Sequence, residues 1–282
     1  MKPTFNFFGR LIFVIAIITA SCKKEKEVDY DTQSSQDNAY AESILNEMNE
    51  IADQAATDGQ LSTHRFGSGE GVWLTTCATI NAHIDSLTGA GIDSIDFGSH
   101  YCQGYDSKYR KGLIVVSFNG HYKNTGTTIT ISAINYFVGY DSSYATKVNG
   151  QRNLTNNGLN NAGHLNYSAT ANATLVNYLN EQMTWSSNRN REWIAGDSTS
   201  SWVDDEYLVT GSANGKSFAG INFNATITEA LHVKLACRWI TTGKFSLTPE
   251  GKPERMLDYG SGTCDGDATV TIEGKIYEVT LR

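Results

Sequence analysis

Proline, cysteine and charged residues are all scarce in this sequence, and this composition restricts the classes of protein to which the chain can belong. Three of its 282 residues are proline, five are cysteine and 18% are charged, whereas glycine and aromatic residues are frequent. This composition excludes a largely disordered chain and is typical of a folded β protein. Runs rich in β-branched residues, such as 127–131, suit a pleated strand surface. The length allows one large all-β domain or two smaller ones.

The sequence also lacks an apolar run long enough to be a permanent transmembrane helix. The run at 11–18 is too short to span a bilayer, and it follows Lys2 and Arg10 and leads through small residues to Cys22. This order predicts a signal peptide over 1–21 that is removed from the mature protein. The segment resembles a bacterial lipoprotein signal, which implies that Cys22 becomes the lipidated first residue. An ordinary cleaved signal followed by a chance cysteine is the alternative.

Residues 22–36 are rich in lysine and acidic side chains and contain no apolar periodicity. They predict a solvated, flexible tether. The beginning Ser21-Cys22-Lys23-Lys24 is similar to that of lipoproteins of the Bacteroidetes. The resemblance implies a protein anchored to the outer membrane, either on the cell surface or on the periplasmic face.

Basic residues are outnumbered by acidic ones. Removal of residues 1–21 takes away Lys2 and Arg10 and changes the formal net charge from −8 to −10. Such a charge repels phosphate, so it excludes nucleic acid and anionic lipid head groups as expected partners. Attachment to the membrane is therefore expected to depend on the acyl chains of the N-terminal lipid anchor.

One eight-residue phrase occurs twice. An aliphatic residue, Asp, an aromatic residue, Gly, Ser, two variable positions and Cys follow one another at 95–102 and again at 257–264. A further cysteine precedes each copy at a similar distance. We interpret the phrase as the mark of an internal duplication, with two units at about 72–120 and 232–281. Asp96 and Asp258 are expected to bond nearby turn amides.

Four cysteines remain after Cys22 is set aside, an even number in an oxidising compartment. They allow three connectivities, and the repeat favours the one that gives each unit the same local bridge. That connectivity pairs Cys77 with Cys102 and Cys237 with Cys264. A four-cysteine zinc site is the alternative, but no Cys-x-x-Cys spacing supports it.

Apolar residues recur at helical spacing over about 37–56, with Asp37 as the expected N-cap. Beyond residue 71 the patterns are those of strands separated by glycine-containing turns. We therefore predict one mainly β domain over 37–282. It consists of a large antiparallel sheet, a sandwich or a partly closed barrel, with an internal duplication and one N-terminal amphipathic helix that covers the sheet. The strands are predicted at 72–80, 113–122, 127–140, 144–151, 164–176, 191–194, 207–212, 218–227, 232–242, 245–248, 268–272 and 276–281.

Signatures of catalysis and of cofactor binding are missing. There is no Gly-x-Ser-x-Gly, no Gly-rich phosphate loop, no pair of histidines at ligand spacing and no visible pair of carboxylates. The acidic group at 204–206 lacks the regular spacing of a calcium loop, so a solvated turn is the favoured interpretation. We expect no metal, no cofactor and no catalytic residue, and we lean against an enzyme.

Tryptophan and arginine cluster in the central strands. Alternation places Arg189, Arg191 and Trp193 on one face of a strand, where arginines stack on aromatic rings. Packing of the sheet face explains this cluster, and an aromatic platform for a glycan or peptide is the functional alternative. The candidate ligand-binding residues are Trp185, Arg189, Arg191, Trp193 and Trp202.

Several segments together resemble a group of uncharacterised Bacteroidetes lipoproteins: 21–24, 193–196, 207–212, 237–240, 257–260 and 278–281. The resemblance carries no known activity, so it transfers no catalytic residue. The function expected from the sequence is a non-catalytic binding or structural role in the envelope, with a glycan or a protein as ligand. A carrier of an apolar ligand in a β cavity and a hydrolase with a spatially assembled acid pair are the alternatives.

Overall fold

The computed structural model describes Met1 and residues 28–60, 78–199 and 201–282, with only the backbone over 56–60. One helix, α1 (Gln33–Gln60), precedes fourteen strands, and a short 3-10 turn lies at Ser142–Tyr144. The strands are β1 (Thr79–Ile84), β2 (Ala90–Asp96), β3 (Cys102–Gln103), β4 (Tyr109–Asn119), β5 (Thr128–Gly139), β6 (Thr146–Leu159), β7 (Leu165–Val176), β8 (Gln182–Ala195), β9 (Glu206–Lys216), β10 (Asn222–Lys234), β11 (Ile240–Pro249), β12 (Arg255–Ser261), β13 (Asp267–Ile272) and β14 (Lys275–Thr280).

All fourteen strands belong to one antiparallel sheet. Each strand pairs with its neighbour in sequence, except that β3 pairs only with β4, which also pairs with β2. The sheet does not close, and β1 and β14 form its two edges. The mainly β fold with a single N-terminal helix is thus confirmed, and of the three predicted architectures the structure shows the large open sheet.

Helix α1 lies against the inner face of the sheet and is covered on nearly every side. The apolar residues Ile44, Leu45, Met48 and Ile51 are each at most 2% exposed. The opposite face of the helix is also buried, although it carries acids and amides. The helix contacts β1 and β2 near one edge of the sheet, β5, and β11 towards the other edge. The sheet therefore curves around the helix, and the helix occupies the space that the strands enclose.

The helix begins four residues earlier than the sequence predicts, within the segment interpreted as a tether. Asp37 is therefore not the N-cap: it lies inside the helix, where its carboxylate accepts bonds from Gln33 Nε2 and from the backbone N–H of Phe218. The backbone N–H of Gln33 instead donates to Asp31. Polar residues such as 33–36 carry no apolar period, which is why the first turn was missed.

Most predicted strands are present, and the missed ones contain glycine and charge. The hairpin β13–β14 turns through Glu273 and Gly274, both at positive φ, as its sequence predicts. Strands β2 and β12 were not predicted, because AGIDSID and RMLDYGS lack a sustained β-branched pattern. The N-terminal half of β8 was also missed, since its outward residues are polar and its inward ones include arginine.

The repeated phrase forms matching turns. Asp96 accepts a bond from the Gly98 N–H at 2.7 Å, and Asp258 accepts one from the Gly260 N–H at 2.9 Å. Both aspartates thus bond turn amides, as predicted. A disulfide joins Cys237 and Cys264. Cys102 is disulfide-bonded, whereas Cys77 lies outside the described residues, so its pairing stays a prediction.

Candidate functional site

A layer of charged side chains lies between α1 and the sheet. Glu47 on the helix accepts bonds from Arg110 Nη2 at 2.7 Å and from Lys108 Nζ at 2.5 Å, and Asp106 binds the same guanidinium. Burial raises the pKa of Glu47, but the two cations outweigh that effect and hold its pKa at about 2. The charges at the start of β4 and in the residues just before it thus fix the middle of the helix.

The same arrangement recurs on β6 and β8. Arg189 Nη2 donates to Glu42 at 2.6 Å, and Trp185 Nε1 donates to Asn38 at 2.9 Å. On β6, Arg152 Nη1 donates to Asn46 at 3.0 Å. These bonds join residues more than one hundred positions apart, so they hold the helix to the centre of the sheet.

Arg191 and Trp193 belong to a cluster with aromatic rings beside the C-terminal half of α1. The guanidinium carbon of Arg191 lies 3.4 Å from the centre of the Tyr207 ring, and its Nη1 is 3.7 Å from Asp53. The rings of Trp193 and Tyr207 stack at 5.5 Å. Burial lowers the pKa of Arg191, but the nearby tyrosines and Asp53 outweigh this effect and keep its pKa above the usual value.

The five residues predicted to bind a ligand are therefore interior residues. The alternation along β8 places Arg189, Arg191 and Trp193 on one face, as predicted, and that face points inward. Four of the five residues are at most 5% exposed, and Trp202 is half-buried against the core. A glycan cannot stack on rings that α1 covers. These residues pack the sheet face and hold the helix, and they do not form an open platform. They are Trp185, Arg189, Arg191, Trp193 and Trp202.

Five interior acids have raised pKa values, among them Asp37 and Asp93, for which burial is the main cause. Burial raises the pKa of Glu50 to about 8, that of Asp205 to about 7 and that of Asp53 to about 6, with each acid further influenced by its charged neighbours. The cavity beside Glu50 has a volume of about 30 Å³ and that beside Asp53 about 50 Å³. Such spaces admit water and exclude a sugar or an ester.

A much larger cleft of about 650 Å³ lies at the N-terminal end of α1. Its wall consists of the first turns of the helix together with three strand connections: β5–β6, β7–β8 and β9–β10. We call it the tyrosine cleft, because three of its lining residues are exposed tyrosines. They are Tyr140, Tyr144 and Tyr178, with exposed fractions of 42%, 59% and 52%.

The tyrosines of the cleft are held in ordered turns. The rings of Tyr144 and Tyr178 meet edge to face with 4.7 Å between their centres. Asn177 Oδ1 accepts from the backbone N–H groups of Leu179 and Glu181, which closes the β7–β8 turn. Asp141 accepts from the Ser143 N–H and caps the 3-10 turn that carries Tyr144. The aromatic surface is therefore preformed.

Polar groups surround the rings. Lys108 Nζ lies 5.3 Å and the Arg238 guanidinium carbon 5.4 Å from the centre of the Tyr140 ring. The carboxylates of Asp141 and Glu181 and the amide of Asn177 line the same space. The cleft thus combines exposed ring faces with hydrogen-bond donors and acceptors of both charges, which can hold a polar organic ligand.

Sequence reasoning missed this cleft. Its residues come from three turns and one helix, and no local pattern predicts which turns meet in space. One signal was present: the segments 140–144 and 177–181 place tyrosine and leucine in turns, where glycine and asparagine are the usual residues.

Comparisons with known proteins identify no relative: no family model, curated protein or solved structure matches this chain. In the described part of the chain, no three histidine, cysteine or acidic side chains come together as a metal site. No helix among the described residues has the length and apolar character that crossing a bilayer requires.

Proposed function

We propose that this protein is a lipid-anchored envelope protein that binds a glycan in the tyrosine cleft and performs no chemistry on it. The observation that carries the proposal is the cleft itself. This space of about 650 Å³ exposes ordered aromatic rings beside polar groups. The resemblance of residues 1–22 to a lipoprotein signal supports the anchor at Cys22, and residues 2–27 lie outside the described structure.

The chemistry of the cleft favours a glycan over a protein ligand. Sugar rings present apolar C–H faces that pack on tyrosine rings, and hydroxyl groups that bond carboxylates and amides. The cleft is concave and holds about 650 Å³, which lies within the range of roughly 300 to 1,000 Å³ found for small-ligand sites. A short stretch of saccharide fits this volume.

The two alternative functions have weaker support. A carrier of an apolar ligand needs an empty cavity, but α1 occupies the space inside the sheet and the cavities beside it measure about 30 and 50 Å³. A hydrolase needs acids that a substrate can reach. Glu50 and Asp53, whose pKa values are raised, are enclosed by the helix and the sheet, and Asp93 and Asp205 are 1% and 6% exposed. Asp37, whose pKa burial also raises, lines the tyrosine cleft, but it is 3% exposed and its carboxylate accepts bonds from Gln33 and from the Phe218 N–H.

Substitution of the exposed tyrosines tests the proposal. The full chain, purified in detergent, is screened on an array of bacterial and host glycans, and the dissociation constant for each ligand found is measured. Tyr144→Ala with Tyr178→Ala is expected to weaken binding about tenfold or more, because an aromatic anchor is lost while both sites lie outside the core.

Tyr105→Ala is the matched control, since Tyr105 is 54% exposed and does not line the cleft. It is expected to bind like the unaltered chain, and all variants should keep the same melting temperature. Equal affinity in the double variant would show that the cleft is not the binding site. If the chain binds no glycan but binds a protein through the same tyrosines, the proposal that the ligand is a glycan is wrong.

A further inference from the structure

The outer face of the sheet carries three rows of aligned polar residues across its centre. The register of neighbouring strands places the members of each row side by side, from β5 to β11 in two rows and from β5 to β9 in the third. Every position in the rows is Ser, Thr, Asn or Gln, and none is buried. The first row is Thr130, Asn153, Thr170, Asn188, Ser212, Thr226 and Ser246; the second is Ser132, Gln151, Asn172, Ser186, Asn214, Asn224 and Thr248; the third is Thr128, Thr155, Ser168, Asn190 and Thr210.

We call these three rows the hydroxyl–amide face. Strands lie about 4.8 Å apart and outward residues recur about every 6.7 Å along a strand, so seven strands present a regular array roughly 30 Å wide. Charged and aromatic side chains are absent from it. Charges return at the rims of the sheet, for example in the His164–Glu192 and His232–Glu206 pairs.

Lack of charge over this area is unexpected for a solvated surface. The chain is 18% charged with a formal net charge of −8, and exposed faces of soluble proteins usually mix acids and bases for solubility. A charged side chain costs more to strip of water than a hydroxyl or an amide. A surface without charges is therefore suited to close contact with a partner that is itself polar and neutral.

Hydrogen bonds within and between strands hold the side chains of this face in place. Between strands, Thr130 Oγ1 donates to Asn153 Oδ1 at 2.9 Å and Ser186 Oγ donates to Asn172 Oδ1 at 2.8 Å. Within β6, Gln151 Nε2 donates to Asn153 Oδ1 at 2.7 Å. Because the rotamers are restricted before any partner arrives, less conformational entropy is lost on binding.

We propose that the hydroxyl–amide face is a second interaction surface and that it lies against a neutral polysaccharide. A polymer of uncharged sugars offers repeated hydroxyl groups that alternate as donors and acceptors, which matches an array of hydroxyls and amides. Each contact is weak, but a long chain engages many of them at once. This surface is separate from the tyrosine cleft, and the inference does not depend on the function proposed for that cleft.

Retention on neutral polysaccharides tests the inference. The full chain is passed over immobilised dextran, mannan and xylan, with alginate as the anionic comparison. We expect retention on at least one neutral polymer, weaker retention on alginate, and a change of less than about twofold between low and high salt, since no charge pairs form. Absence of retention on all three neutral polymers, or stronger binding to alginate, would overturn the proposal.

A variant with a new ion pair on the face locates the contact. Thr170→Glu with Asn188→Lys places opposite charges on directly paired residues of β7 and β8, which preserves strand pairing. It is expected to lower retention at least about tenfold. The matched control is Thr280→Lys on the edge strand β14, where residue 280 pairs with Asp267 of β13. This variant should bind like the unaltered chain.

The cleft variant separates the two surfaces. The Tyr144→Ala and Tyr178→Ala double variant is expected to keep its retention on the neutral polymer. If it loses that retention while the ion-pair variant keeps it, the binding belongs to the cleft and the hydroxyl–amide face has no such role. All variants must show the melting temperature of the unaltered chain, so that a loss reports on the surface.

Discussion

At the scale of single residues, two glutamates three positions apart on α1 have opposite electrostatic environments. Arg110 and Lys108 hold the pKa of Glu47 at about 2 against the effect of burial, whereas burial raises the pKa of Glu50 to about 8 with Glu47 adding to the rise. Neither carboxyl reaches a substrate. Their ionisation therefore affects the stability of the fold.

The two glutamates predict a stability maximum in mildly acidic solution. Glu50 holds its proton in the folded state up to pH about 8 but releases it near 4.5 when unfolded, so its contribution is complete below 4.5 and is lost as pH rises through 8. Glu47 contributes above 4.5, and this contribution is lost as pH falls towards 2. We expect unfolding free energy to decline from pH 5 to 8 by at most about 1.4 kcal/mol per pH unit for this group.

Urea unfolding of Glu50→Gln at several pH values checks this expectation. The amide cannot ionise, so the decline above pH 5 should become shallower, and the variant should gain on the unaltered chain at pH 8. Glu181→Gln is the control, because that carboxyl is exposed at the cleft. A decline that stays equally steep in Glu50→Gln would mean that other groups govern the pH dependence.

At the scale of elements, the disulfide joins two connections rather than two strands. Cys237 lies between β10 and β11 and Cys264 between β12 and β13, with 27 residues of separation. The bridge therefore restrains the last strands of the sheet, close to its free edge.

Removal of this bridge is expected to destabilise the protein by roughly 3 to 4 kcal/mol in the chain-entropy model. Cys237→Ser with Cys264→Ser should lower the urea midpoint, and hydrogen exchange should increase first in β12, β13 and β14. Ser246→Ala on β11, which leaves the bridge intact, is the control. An unchanged midpoint would show that the strands hold their positions without the bridge.

Local patterns predicted what depends on neighbours in sequence and missed what depends on distant ones. The alternation in β5, β6 and β7 and the inward face of Arg189, Arg191 and Trp193 follow from a period of two. The partner of Arg189 could not be predicted, because Glu42 is 147 residues away. Sheet-face packing was the favoured interpretation of the arginine and tryptophan cluster, but the helix against which it packs could not be identified from the sequence.

The tyrosine cleft was not predicted, because it too depends on residues that are distant in sequence. Tyr144 and Tyr178 lie in separate hairpin turns, and their contact depends on how the sheet curves. Curvature depends on the sum of small twists along many strands, which no single segment reveals. The matching turns at Asp96 and Asp258 were predictable, since each is complete within three residues.

At the scale of the whole molecule, a contact between the two ends of the described chain lies close in sequence to the proposed anchor. Asp29 pairs with Arg255 at 2.6 Å, and Asp29 is seven positions after Cys22. An extended chain of that length reaches at most about 25 Å. A lipid on Cys22 would therefore keep the domain within about that distance of the membrane surface.

Replacement of the anchor residue checks this arrangement. Cells that express the full chain are labelled with palmitate, and label and membrane fractionation are compared. Cys22→Ser is expected to lose the label and to release the protein from the membrane fraction, whereas Ser21→Ala should retain both. Label that persists in Cys22→Ser would rule out this anchor.

The enclosure of α1 has a kinetic consequence. The helix is synthesised first, yet its partners Arg110, Arg152 and Arg189 follow from 63 to 147 residues later, and Arg255 meets Asp29 across 226 residues. Until those strands exist, the helix has no surface that neutralises its acids. Contacts of such long sequence separation make folding slow. Folding must therefore wait for nearly the whole chain, and until then its apolar surfaces and unpaired strand edges are exposed to aggregation.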